Sequence, residues 1–230
     1  MQCNIILYSI EGHFITFTKR DRGYFFQGKN GEPGSIYPKG IAIRNGSGLF
    51  AFPGGELNNG ETSLQGCLRQ FVEECGNSCF FSYLPINEPK SLLTIDTITI
   101  DNYSYPILEA EINRTPDYYT LYLEFSLEDL SQIETIISNI NLEDSMNAKS
   151  EIIDGKFETY EAIFKEYPFC PLDNELASVK IWQIQDQISE IRSLQYNPTT
   201  ECYFDMIVYL ANTVLNKNIP YCVSYSYLQS

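Results

Sequence analysis

The stretch FPGGELNNGETSLQGCLRQFVEECGN, residues 52–77, leaves the chain few conformations. Thr62 with Gln65 three residues on forms a capping box, in which each side chain satisfies a backbone N–H that a helix start leaves unpaired. Leu64, Cys67, Leu68, Phe71, Val72 and Cys75 recur at the helical period, so one stripe is buried. Gly76 then stands where a left-handed stop would end the helix. These features predict a helix over 62–75. Its other side carries Arg69, Gln70, Glu73 and Glu74, and residues 70, 73 and 74 converge on one patch because they are three and four apart. Two adjacent ionised carboxylates repel each other unless a cation lies between them. Carboxylates together with a backbone carbonyl suit magnesium or manganese, and a solvated acidic face is the alternative reading. Gly54 and Gly55 permit tight backbone ahead of the helix and would leave a carbonyl exposed beside it. Glu61, eight residues before Arg69, is placed to fold back and pair with it.

Net charge narrows the partners. The chain of 230 residues carries −15, divided unevenly: residues 1–50 hold +3 and the remainder −18. Such a surface repels nucleic-acid backbones, which argues against general DNA or RNA binding. A small anionic substrate remains compatible if metal ions or the basic N-terminal segment screen it. Seven cysteines without a CxxC pair, and a single histidine, His13, give a zinc site little support. Reduced thiols and the lack of a basic, apolar leader or a membrane-length apolar run point to a cytoplasmic protein.

Along the chain, NIILYSI and HFITFTKR read as a strand pair turning at Glu11-Gly12. The Gly- and Pro-rich GYFFQGKNGEPGSIYPKG reads as a loop or irregular hairpin, and GLFAF as a short strand. Further strands are expected at 91–100, 104–112, 118–127 and in ELASVKIWQI, with a closing helix over CYFDMIVYLANTVL. Apolar residues 127, 130, 133, 136, 137 and 140 fall at helical spacing, whereas 141–172 reads as polar and irregular apart from a turn near Tyr160 to Phe164. Alternating strands and helices without a repeat imply one α/β or α+β domain over 1–230, with an insertion at 126–171.

From Gly55 the chain runs five residues to Glu61, seven to Arg69, then Gln70-Phe71-Val72-Glu73-Glu74-Cys75-Gly76. This resembles the signature of the Nudix hydrolases, matching seven of its nine specified positions, and Phe52-Pro53-Gly54 before it is also typical of that family. ELASVKIWQIQD resembles the family's late strand, so the likeness spans roughly 4–125 and 172–215. The resemblance implies a mixed β-sheet sandwiched between helices, and a hydrolase cleaving a pyrophosphate bond in a nucleoside diphosphate linked to another moiety. It implies Mg2+ or Mn2+ held by Glu73 and Glu74 with the Gly55 carbonyl, and Glu61 with Arg69 as a bracing pair.

Gln70 departs from that signature. Family members carry there a glutamate that ligates metal and sometimes acts as the base; an amide can coordinate but cannot accept a proton at neutral pH. A replacement base from the segment before the late strand would come from Glu166, Asp173 or Glu175, with Glu151, Asp154, Glu158 and Glu161 further back. The other outcomes are a slow hydrolase using Glu73 and Glu74 alone, or an inactive fold binding a nucleotide or a protein. Asn77 in place of an apolar residue is a packing change. Arg20, Arg22 and Arg44, with Lys19, are the basic residues available to substrate phosphates. Leu93, Thr94 and Ile95 stand where subgroup markers for ADP-ribose or dinucleoside polyphosphates would be, so the nucleotide is unassigned. Tyr118, Tyr119, Tyr122, Tyr24, Phe25 and Phe26 could stack on a base, but strand aromatics are more often core.

Overall fold

The computed structural model describes residues 1–29, 32–43, 47–76, 97–101, 103–114 and 118–215. β1 (Gln2–Tyr8) is its centre. Successive strand residues point to opposite faces, so Cys3, Ile5 and Leu7 enter one core and Ile6 and Tyr8 another. Both faces are apolar, and both must be covered.

β1 pairs in parallel with β10 (Tyr118–Glu124) over its full length. On its other edge it meets β2 (His13–Lys19) at Tyr8 and Phe14, after which the two strands part. Short strands fill the opening: β5 (Phe50–Ala51) on β2, and β6 (Gly54–Glu56) on β1. With β9 (Glu109–Arg114) and β11 (Leu176–Gln183) at the edges, the order is β11-β2-β1-β10-β9. Two hairpins stand apart, β3 (Arg22–Phe26) with β4 (Ser35–Ala42), and β7 (Thr97–Ile100) with β8 (Tyr103–Pro106).

α1 (Ser63–Cys75) covers the Cys3, Ile5 and Leu7 face through Leu64, Cys67, Leu68 and Phe71. α2 (Leu127–Ile136) adds Leu130 and Ile133 to the same core. The opposite face takes α5 (Ile188–Leu194) and α6 (Glu201–Tyr209), through Ile191, Phe204 and Ile207. A buried bond from the Tyr122 hydroxyl to the Met206 carbonyl, 2.9 Å, joins α6 to the sheet. The result is the expected mixed sheet between helical layers. Tyr118, Tyr119 and Tyr122 belong to its cores.

Several expectations need correction. Residues 141–172 are not irregular: α3 (Leu142–Ile153) follows α2 after one π turn, Ile137–Asn141. It buries Leu142, Ser145, Ala148 and Ile152, a stripe too poor in large apolar residues to be read as helix. α4 (Tyr160–Glu166) was expected; α5 was not. Gly76 ends α1 with φ of 172°, an extended conformation and not a left-handed one. The anticipated strand over 91–100 is seen from Thr97; Asn77 and residues 91–96 lie outside the described residues. The supposed insertion at 126–171 is divided in its packing. α2 belongs to the main core, while α3 and α4 enclose Phe25 of β3 in a third cluster with Ala148, Ile152 and Ile163.

That division predicts unequal costs. Ile133→Ala, at a fully buried position, should lower unfolding free energy by about 2–5 kcal/mol in denaturant titrations. Met146→Ala on α3, 55% exposed, should stay within about 0.5 kcal/mol.

Candidate functional site

The helix start forms as its residues require. Thr62 Oγ1 accepts from the Gln65 N–H at 3.2 Å, and Gln65 Oε1 accepts from the Thr62 N–H at 3.0 Å. One turn later Arg69 donates to Glu61 through Nε (2.7 Å) and Nη2 (2.9 Å), a two-pronged fork. Its Nη2 also reaches the Glu56 carbonyl at 2.9 Å, and Nη1 reaches Glu73 Oε2 at 2.8 Å. One guanidinium thus fastens the 56–61 segment to the helix and aims Glu73. Burial raises Glu61, but Arg69 and the Asn58 N–H outweigh it and hold the carboxyl below its ordinary value.

Glu74 is unlike its neighbour. It is 2% exposed, lying at the edge of the buried stripe. Its Oε1 accepts from the Gly54 N–H at 2.9 Å, while its buried Oε2 meets no hydrogen-bond donor among the described residues. Glycine is needed at 54 for this approach, because a Cβ there would lie 2.3 Å from Asn4 Oδ1 and from the Cys3 carbonyl. Burial pushes Glu74 well above the carboxylate range, the charge of Lys19 opposes this, and Glu175 and Asp173 add to it.

The segment before β11 closes the site. Asp173 donates its N–H to the Glu73 carbonyl at 2.9 Å, satisfying one of the carbonyls a helix end leaves open. Asn141 Nδ2 does the same for Cys75 at 2.7 Å, tying α1 to the π turn. Asp173 Oδ1 accepts from the Gln27 N–H at 2.6 Å. Burial raises Asp173 to about 8, with Glu175 and Glu73 adding to the effect and the Gln27 and Arg69 interactions opposing it. Glu175 Oε2 lies 3.0 Å from Lys19 Nζ at the end of β2. Burial disfavours the Lys19 charge, but Glu74 and Glu175 more than offset that and keep it protonated.

Glu73, Glu74, Asp173 and Glu175 therefore line one cavity of about 460 Å3, with Gly54, Gly55 and Arg69. Gln70 also faces it. A Cβ on Gly55 would sit 2.5 Å from Gln70 Nε2, so the amide lies directly over that glycine. The Gly55 carbonyl, expected as an exposed metal ligand, instead accepts from the Cys3 thiol at 3.3 Å. Among the described residues no group of three or more His, Cys, Asp or Glu side chains is arranged to hold a metal ion.

The other anticipated residues fall elsewhere. Glu166 is paired with Lys156 at 2.6 Å on the surface and does not line the cavity. Arg20 is buried, and burial holds its guanidinium below its ordinary value, with Cys170 and Tyr24 opposing the effect. Arg22 donates to the Lys39 and Gly40 carbonyls and braces the β3–β4 hairpin. Arg44 lies outside the described residues, as do Leu93, Thr94 and Ile95. Of the N-terminal cations, Lys29 pairs with Glu56 at the exposed side of the cavity, and Lys19 reaches the buried acids through Glu175. Its signal was alternation: Ile15, Phe17 and Lys19 share a strand face, and the first two enter the core under α1.

The fork at Arg69 yields a prediction. Arg69→Ala strands two partly buried carboxylates and should cost about 2–3 kcal/mol in unfolding free energy. Arg69→Lys should recover only a minor part, because an ammonium cannot engage both oxygens of Glu61 and Glu73 together.

No protein-family model matches this chain, and no curated protein matches it significantly.

Proposed function

We propose that the chain is a divalent-cation-dependent hydrolase of the Nudix type, cleaving a pyrophosphate bond in a nucleoside diphosphate derivative. The observation that carries this reading is the Glu74 carboxylate, buried at the foot of an open cavity with one oxygen that meets no donor among the described residues. A buried anionic oxygen is costly unless paired, and a hard cation pairs it. The braced Glu61–Arg69 pair and the spacing that resembles the Nudix box support the same reading. Glu74 and Glu73 would hold Mg2+ or Mn2+. Magnesium is commonly held by one or two carboxylates together with substrate phosphates, which fits a site without three clustered ligands. When bound, the ion supplies charge neutralisation on the phosphates and activation of water.

The chain's own residues take the remaining roles. Gln70 cannot accept a proton, and Glu175 is tied to Lys19. Asp173 lines the cavity with its Oδ1 fixed by the Gln27 N–H, so it is the carboxylate assigned to take the water proton once the charge of a bound cation ionises it against its burial. Arg69 keeps Glu73 aimed inward. A second reading, a nucleotide- or protein-binding module without turnover, is favoured by Gln70 packed over Gly55 at a position where the resemblance carries a carboxylate.

A screen of nucleoside diphosphate derivatives, with phosphate or nucleotide release measured with and without Mg2+, separates the two. The hydrolase reading expects metal-dependent release that falls by about 10²-fold or more in both Glu74→Gln and Asp173→Asn. Glu166→Gln should retain it. A silent wild type, with turnover appearing only in Gln70→Glu, would establish the binding module.

A further inference from the structure

We infer that Lys19 is a resident cation of this acidic floor and does the work of one metal ion, so that the site takes a single divalent cation. The inference rests on the hydrolase reading above but concerns how many ions that site can hold. Five carboxylates line the cavity: Glu56 is exposed and paired with Lys29 at 3.5 Å, and the other four, Glu73, Glu74, Asp173 and Glu175, make up the floor. Two of them have a cation at contact distance: Glu73 with Arg69 at 2.8 Å, and Glu175 with Lys19 at 3.0 Å. Among the described residues Glu74 and Asp173 have none, and Glu74 keeps a buried oxygen without a hydrogen-bond donor. When ionised, Glu74 and Asp173 carry the two charges that one divalent ion balances, with Asp173 serving as the base and not as a ligand.

Lys19 is built in and does not arrive from solvent. It ends β2, where the pairing of Leu176 with Lys19 sets the end of β2 beside the start of β11. The Arg20 N–H donates to the Glu175 carbonyl at 2.7 Å and fixes that junction. The side chain of Lys19 is 10% exposed and in direct contact with Glu175, and the charge of Glu74 also favours its protonated form. An ammonium paired with Glu175 behind the cavity wall repels a second divalent ion on that side, because like charges in a poorly solvated cleft interact strongly. Replacing a box carboxylate by Gln70 acts in the same direction, since it removes one negative charge from the cavity wall.

Titration of the full chain with Mn2+ alone, counting bound ions by the loss of the free-ion electron paramagnetic resonance signal, tests this without turnover. One ion per wild-type chain is expected. Lys19→Gln should bind a second ion, or bind the first tighter by about tenfold or more. Lys19→Arg, which keeps the charge, should remain at one ion with little change in affinity. Two ions in the wild type, or unchanged number and affinity in Lys19→Gln, would overturn the inference while leaving the hydrolase reading in place. If Lys19→Gln does not fold, the wild-type count and Lys19→Arg still decide. Absence of bound Mn2+ from the wild type and both variants would remove the hydrolase reading itself, and the inference with it.

Discussion

A carboxylate buried to 2% exposure at the end of a helix is the constraint around which the rest is arranged. Glu74 cannot be solvated where it stands, so the fold must supply what water does not. It supplies a backbone N–H from Gly54 and the charge of Lys19. Both come from sheet strands whose placement depends on the parting of β1 and β2 after Tyr8 and Phe14. Were those strands paired throughout, β6 could not lie on β1, and no glycine amide would reach Glu74. The open sheet and the buried acid are parts of one arrangement.

Arg69 does the complementary work on the exposed side. Its guanidinium is shared among Glu61, Glu73 and the Glu56 carbonyl, which sets the angle between the 56–61 segment and the helix. Guanidinium forks hold such geometry where ammonium groups do not. The other end of α1 is pinned by Asp173 and Asn141, donors from segments far along the chain. A short helix fixed at both ends positions its side chains more closely than packing alone would. Residues 126–171 are therefore more than decoration, since their π turn carries Asn141 and their core residues bury α2 against the sheet.

Local chemistry was legible in the sequence, and long-range placement was not. The capping box and the Glu61–Arg69 pair follow from spacing along a few turns, and both are present. Spacing places position 74 with 70 and 73 on the open side, yet it also lies three residues after Phe71 and seven after Cys67. Which of those neighbourhoods prevails depends on what packs against the stripe's edge, namely β6 and the ends of β2 and β11. Lys19 and Arg20 are likewise adjacent cations whose fates separate only when alternation is combined with knowledge of which face α1 covers. Asp173, Glu175 and Glu166 are alike as candidate bases in the sequence, because chain position does not distinguish them. The helix over Leu142–Ile153 escaped notice because the π turn before it adds a residue to the cycle, rotating the buried stripe by about 100°.

The most direct measurement is a crystal of the wild-type chain soaked in Mn2+, with diffraction recorded at the manganese absorption edge. The account predicts an anomalous peak in contact with Glu74 Oε2, the buried oxygen for which no described residue provides a donor. A cavity that stays empty of metal at saturating Mn2+, with Glu74 unchanged, would contradict it.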